Sequence, residues 1–386
     1  MTMNRRELLI SGGAIGAGVG TIGAMGVFSY SPMRKKVLPQ VKRGATDIGL
    51  CKSVRVVNIS ETSWFDNGVF MQDVTASGGL LVDQYTYNWP PFGDGTGAGK
   101  GTYQKGLKII KPYLDKGDLD GAWNTTRELS QHPDNAGGFS CLVEVEALDG
   151  KKTKYLFDCG WNYQWMDTCF KREGIDKMLA NNEIKAFIST HEHMDHYWGF
   201  PVVAKYAPNI HVYRPSTFYP EGKDYMVQAG HRGQVTEVKK GLHRLEPGVA
   251  LYQFECPIIF RVFGEMSMYC NVKDVGLVSI TGCCHQGIIL FADTAYKELA
   301  YEKDQFYGLY GGLHISPFDD WDPKYDDLVI GLQKWDLKKV GCNHCTGLIT
   351  AQKFVDAGYP VVKGTARFRS KTTNYLGNGD TLSFPS

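Results

Sequence analysis

Seven consecutive residues, Thr190-His191-Glu192-His193-Met194-Asp195-His196, limit what this chain can fold into more than anything else in it. Four side chains able to ligate a metal fall within six positions, and a β-type run at 184–188 leads straight into them. Imidazole and carboxylate together suit zinc, with manganese and iron as the other ions this donor set accepts. His191 and His193 are two apart, so on extended or loop backbone they point the same way and can chelate one ion from a strand end. Asp195 and His196 are adjacent and point apart, which suits a second ion. Two ions about 3.5–4 Å apart can share a water and lower its pKa for attack. A zinc helix of the His-Glu-x-x-His type is excluded: the spacing is wrong, and Gly199 and Pro201 follow too closely.

The rest of the chain alternates short strands with helices, and several strands end in a loop bearing His or Asp. Strands are expected at 54–59, 140–148, 154–157, 184–188 and 210–213. Further strands are expected within 249–264 and at 275–280, 305–309, 338–341 and 360–362. Helices are expected at 166–180, 201–205 and 325–335. The loops at the strand ends then present Asp158, the histidine run, His285, His314 and His344, as open α/β sheets build their sites. A polar, Gly-, Tyr- and Trp-rich stretch at about 66–138 reads as an insertion with a helix near 103–114. Trp161, Tyr163, Trp165, Tyr197 and Trp198 flank these motifs; each alone is expected in core packing, and as a set they are candidates for an apolar, ring-accepting substrate wall. Arg214, Arg244 and Lys363 are candidate anion contacts. His243 belongs to no motif and is expected on the surface or in a loop.

Taken together, these pieces resemble the metallo-β-lactamase fold superfamily. The match extends from about Cys141 to Arg367. Phe157-Asp158-Cys159-Gly160 and the run from Ser189 to His196 with Gly199 carry the superfamily likeness. Thr281-Gly282-Cys283-Cys284-His285-Gln286-Gly287-Ile288, Gly311-Gly312-Leu313-His314 and His344-Cys345-Thr346-Gly347 resemble the branch of 7,8-dihydropterin-6-yl-methyl-4-(β-D-ribofuranosyl)aminobenzene 5′-phosphate synthases and related metal-dependent hydrolases. The resemblance implies an α+β four-layer αββα sandwich, two sheets back to back with helices outside. The hydrolase domain would span 50–386, interrupted by the N-terminal insertion. It also implies that His191, His193 and His285 ligate one metal while Asp195, His196 and His344 ligate another. Asp158 would hydrogen-bond behind the site. In the mechanism this suggests, Asp195 orients the nucleophile and takes its proton; His314 is open as a ligand, a substrate contact or an acid that protonates the leaving group, with a satisfied structural role as the alternative. Two positions depart from the pattern. Cys283 stands where many relatives place a metal-bridging Asp, so it is a further candidate ligand, a pocket thiol or a small buried hydrophobe. Cys159 stands where Thr is common.

The functional expectation is a metal-dependent hydrolase using one or two Zn2+ ions, or Mn2+ or Fe, on a small-molecule ester, with a phosphoester as one form. A di-iron oxidoreductase of the same fold and a non-catalytic periplasmic metal-binding protein are the competing readings. A formal net charge of +1 gives no support for a nucleic-acid partner. Ten cysteines in 386 residues are too sparse for a disulfide scaffold. Cys342-x-x-Cys345 has no second half that would make it a zinc site. Residues 1–33 resemble a twin-arginine export signal: Arg5-Arg6, then Leu8-Leu9, then no charge until Arg34. That places the protein in the periplasm or otherwise outside the cytoplasm, with the export machinery as a partner. A membrane would be a partner only if residues 8–33 are retained as an anchor.

Overall fold

The computed structural model describes residues 45–61, 137–256, 258, 262–317 and 321–385. The export segment at 1–33, nearly all of the insertion at 66–138 and the helix expected near 103–114 lie outside the described residues. In chain order the first elements are β1 (Thr46–Asp47), β2 (Ser53–Ser60), β3 (Ser140–Glu146), β4 (Lys152–Phe157), α1 (Tyr163–Glu173), α2 (Ile175–Ala180) and β5 (Ile184–Ile188). Then come α3 (Met194–Tyr197), α4 (Phe200–Tyr206), β6 (His211–Pro215), α5 (Pro220–Gln228) and β7 (Val235–Val238). The remaining strands and helices are β8 (Gly241–Glu246), β9 (Val249–Phe254), β10 (Glu265–Val272), β11 (Gly276–Thr281), α6 (Ile288–Glu298), β12 (Leu299–Ala300), β13 (Phe306–Gly312), α7 (Asp326–Leu332), β14 (Lys339–Asn343), α8 (Leu348–Asp356) and β15 (Thr381–Phe384).

These strands make two large sheets. One has the order β15-β2-β3-β4-β5-β6-β7 and the other β14-β13-β11-β10-β9-β8. Period-two alternation sorts the side chains of each strand between two cores. On β4 and β5, Tyr155, Phe157, Ala186 and Ile188 face the second sheet, where they meet Leu251, Met266, Met268, Val278 and Ile280. Leu156 and Phe187 take the opposite face and pack beneath Met166, Phe170, Leu179, Phe200 and Val203 of the helices. The outer face of the second sheet is closed likewise: Tyr269, Leu277, Leu309 and Val340 lie under Phe291, Ala295, Leu332 and Phe354. The result is the αββα sandwich. Each fully buried large side chain in these layers is worth about 1.5–3 kcal/mol of transfer free energy.

Several elements differ from the sequence expectation. The helix expected at 166–180 is two helices, because Gly174 turns left-handed (φ 72°) and returns its N–H to the carbonyls of Lys171 and Phe170. The strand expected at 360–362 is only a bridge between Val340 and Val361. The last strand is instead β15, whose Leu382 and Phe384 are buried between the sheets. His243 lies within β8, half-buried against Tyr213, rather than in a loop. The expectation of a periplasmic, exported or membrane-anchored protein is also corrected. Among the described residues no helix is long and apolar enough to cross a membrane, and none of them supports export.

Parallel pairing aligns the strand ends that matter. β4 and β5 pair in parallel, as do β11, β13 and β14. Their C-terminal ends release Asp158, the histidine run, Cys283, His314 and His344. A backbone lattice then ties the run in place. Phe139 N–H donates to Asp195 O (2.8 Å), Cys159 N–H to His196 O (2.9 Å) and Gly199 N–H to Gly160 O (2.9 Å). The lattice is tight enough that a Cβ on Gly199 would stand 1.9 Å from Cys159 O. Gly199→Ala is therefore expected to lower unfolding free energy by about 1–3 kcal/mol, the usual cost of overpacking. Urea denaturation followed by tryptophan fluorescence measures it, and an unchanged midpoint would show that the lattice tolerates a wider spacing.

Candidate metal centre

A buried carboxylate organises one half of the centre. Asp158 sits one residue past β4 with a left-handed backbone (φ 57°) and no solvent exposure. Its Oδ1 accepts from Thr190 N–H (2.7 Å), and its Oδ2 accepts from the Thr190 hydroxyl (2.7 Å). His196 Nδ1 lies 2.7 Å from the same Oδ2. Because the Thr190 hydroxyl gives its proton to Asp158, it can only accept from His191 Nδ1, 2.8 Å away. Both imidazoles therefore carry their proton on Nδ1 and turn a bare Nε2 inward. Burial raises the Asp158 pKa, while His196 and the two Thr190 hydrogen bonds pull against it.

A second buried carboxylate organises the other half. Glu265, at the start of β10, accepts through Oε1 from the N–H groups of Cys283 (2.9 Å) and Cys284 (2.8 Å). Through Oε2 it accepts from His285 N–H (2.8 Å) and faces His285 Nδ1 at 2.9 Å. It thus holds the whole 283–285 turn and fixes a third inward Nε2. Burial alone would raise its pKa; His285 and the backbone donors outweigh that and hold it at about 2.

The inward atoms form two adjoining groups. In the first, His191 Nε2 and His193 Nδ1 are 3.1 Å apart. The rings of His191, His193 and His285 stand nearly perpendicular to one another, with centroids 4.7–4.8 Å apart. In the second, Asp195 Oδ2 lies 3.1 Å from His344 Nε2 and 3.8 Å from His196 Nε2, and the two imidazole nitrogens are 3.2 Å apart. The groups touch, with the His191 and His196 ring centroids 4.2 Å apart. Lone pairs at such separations repel unless a proton or a cation lies between them, and each triple could hold a divalent ion. The centre fits metal ions by this geometry.

The surroundings shift the donors in different directions. Burial drives the His191 pKa far down, helped by His196 and His193. Burial would also raise the Asp195 pKa, but His196 and His344 overcome it and hold the carboxylate well below its usual range. His196 is pulled up despite burial by Asp195 and Asp158. Burial also lowers His344 and, far more, His314.

Every residue of the predicted cluster is present. Cys283 reaches into both groups: its Sγ lies 2.9 Å from His196 Nε2, and it falls within 4.8 Å of ligand atoms of His191, His285, His314 and His344. His314 packs its ring on His285 at 4.3 Å and has a buried Nδ1 without a hydrogen-bond partner. Cys159 donates its thiol to the carbonyls of His196 and Tyr197. Other candidates serve elsewhere. Glu192 accepts the Tyr219 N–H at the head of α5. Tyr197 is core, packed on Phe200, Phe218 and Tyr225. Trp161 and Trp198 pack on each other, and Trp165 donates to Ser60. Arg214 pairs with Glu237, and Arg244 donates to Asp47 O. Sequence analysis misses Glu265 and the relay role of Thr190. A lone acidic residue among the apolar side chains of β10, EMSMYCNV, is the one sign that could have pointed to Glu265.

A family model agrees with the fold. Residues 137–266 match the model of the metallo-beta-lactamase superfamily. A curated relative, the 7,8-dihydropterin-6-methyl-4-(beta-D-ribofuranosyl)-aminobenzene-5′-phosphate synthase of Methanocaldococcus jannaschii, is 24% identical over 264 residues, covering 59% of this chain and 85% of the relative. Among solved structures, Zn(2+)-bound PqqB from Methylobacterium extorquens is 11% identical and covers 85% of this chain and 99% of its own, with a TM-score of 0.43. The metallo-beta-lactamase fold protein YhfI from Bacillus subtilis is 10% identical, covers 63% and 90%, and has a TM-score of 0.40. The chain has the metallo-β-lactamase fold, and its clustered His, Cys and Asp side chains suit the metal-dependent active site typical of hydrolases with that fold.

Glu265 gives a test of how the centre is held. Glu265→Gln puts an NH2 against backbone donors and is expected to cost about 2–4 kcal/mol near neutral pH. A depressed carboxylate stabilises the fold above its unfolded pKa and loses that contribution as pH falls. The gap between wild type and variant should therefore narrow from the ordinary Glu value of about 4.3 down towards about 2. Urea titrations at several pH values measure this, and a gap independent of pH would remove Glu265 from its assigned role.

Proposed function

We propose that this protein is a metal-dependent hydrolase of small esters, with a phosphate-bearing ester as the favoured substrate, and that its hydrolase domain spans 50–386. The carrying observation is the pair of adjoining three-donor groups whose imidazole tautomers are fixed from behind by Asp158 and Glu265. His191, His193 and His285 would hold one ion. Asp195, His196 and His344 would hold the other, with the Cys283 sulfur as an added donor beside His196. Zinc suits this mixture of imidazole, carboxylate and thiol best. Such ions would polarise the reacting centre and make a water acidic enough to attack it.

The chain's own residues do the remainder. Asp195, kept ionised by its neighbours, is better placed to fix a cation and orient a water than to store a proton. His314, kept neutral by burial, has a buried Nδ1 with no hydrogen-bond partner among the described residues, an atom that could hydrogen-bond a bound substrate or its leaving group. Among the roles open to it in the sequence, this favours a substrate contact over an acid, since burial disfavours the imidazolium form. The name of the archaeal relative, which specifies a 5′-phosphate, supports a phosphate-bearing substrate.

Two measurements test the reading. Protein purified without added metal should hold zinc or manganese by elemental mass spectrometry; a visible-absorbing di-iron centre would instead favour the oxidoreductase. Metal-free protein would leave neither. Asp195→Ala should keep the fold by circular dichroism while hydrolysis of bis(p-nitrophenyl) phosphate falls by roughly 10²-fold or more. Undiminished turnover would exclude Asp195 from the centre.

A further inference from the structure

Two buried thiols meet at the inner edge of the centre, and the hydrolytic reading does not use them as a pair. Cys283 follows β11 and Cys345 follows β14. Cys345 donates its thiol to Cys283 O at 3.4 Å, and the two side chains are themselves within hydrogen-bonding reach. Their sulfurs and a His344 ring nitrogen lie within 4.8 Å of one another. Room for the second sulfur comes from Gly312, where a Cβ would stand 2.5 Å from Cys345 Sγ. The adjoining cysteines go elsewhere. Cys284 and Cys342 are packed into the core beneath the outer helices. Of the four cysteines in these two segments, Cys283 and Cys345 are the two that share a hydrogen-bond contact and a donor cluster.

We propose that Cys283 and Cys345 are an oxidation site that closes to a disulfide. A disulfide needs an S–S bond of about 2.05 Å; the two sulfurs already lie within 4.8 Å of one another, and side-chain rotation is what brings sulfurs on facing cysteines together. The step balances with a peroxide as oxidant. Both S–H bonds break, the sulfurs give up two electrons and join, the O–O bond breaks, and the peroxide leaves as two waters when it is hydrogen peroxide. The side from which a small oxidant would approach is that of half-buried His285 and His314, whose ligand atoms lie within 4.8 Å of the Cys283 sulfur. Closure turns the Cys283 sulfur from His196 towards Cys345. It thereby takes a sulfur donor from the second ion, a consequence that rests on the hydrolase reading, whereas the disulfide itself does not.

The test uses the full chain, as purified, treated with hydrogen peroxide and digested with trypsin without reduction. A species joining peptides 274–297 and 340–353, lighter by two hydrogens than their sum, is expected. It should persist in Cys284→Ser and Cys342→Ser and vanish in Cys283→Ser and in Cys345→Ser. Absence of the joined species in wild type, or its survival in Cys345→Ser, overturns the pairing. Zinc content measured on the same samples separates the two ideas. A joined wild-type protein that has lost zinc, with Cys345→Ser retaining it, supports the metal consequence. A joined protein with undiminished zinc overturns that consequence and leaves the disulfide standing.

Discussion

The centre depends first on the desolvated carboxylate of Asp158. Removed from water, it must be met by donors, and the three it finds are the backbone and hydroxyl of Thr190 and the Nδ1 of His196. Those hydrogen bonds run in one direction only. A proton committed to Asp158 cannot also point at His191, so the orientation of the Thr190 hydroxyl decides the tautomer of a histidine that Asp158 never touches. One carboxylate thus sets two ligand atoms. Glu265 does the same work for His285 from the opposite sheet, and its grip on three successive backbone N–H groups makes the 283–285 turn as fixed as a strand.

Strain at the strand ends is consistent with a site held from outside. Asp158, Cys284, His314 and His344 all have left-handed backbones, at φ 57°, 67°, 45° and 50°. Each costs of order 1–3 kcal/mol and persists only where the surroundings over-determine it. The surroundings here are two sheets whose parallel strands deliver these residues to one edge. The donors come from segments far apart in sequence, yet the nitrogens of His196 and His344 end 3.2 Å apart.

The sequence was most informative where chemistry and spacing coincide. The histidine run, the strand before it and the later loops with His285, His314 and His344 can be read because ligand-capable side chains are rare at strand ends. Helix α6 was missed although Ile288, Phe291, Ala292, Ala295 and Tyr296 follow helical spacing. The motif just before it draws attention to the loop, and no side chain caps its first turn. Glu265 was missed for another reason: its partners lie 18–20 residues away, and only strand pairing brings them near. Aromatics beside a motif are as useful to the core behind it as to a pocket in front, so sequence alone does not separate the two uses. Tyr197 and the Trp161–Trp198 pair show the first use.

The two halves of the centre are unequal, and the inequality follows from the fold. Asp195, His196 and His344 are buried, beneath Phe139, which packs on both imidazoles at 5.6 Å. His193, His285 and His314 are only half-buried. Among the described residues, the half that holds His193 and His285 is therefore the more exposed side of the centre, and the carboxylate-bearing half is the more enclosed one. Cys283 stands at the junction, close to His196 on the inner side and within reach of His285 and His314 on the outer. A sulfur there is soft and oxidisable where a carboxylate would be neither. The choice of residue at this one position thus bears on which ion the inner half prefers and on whether the centre responds to oxidants.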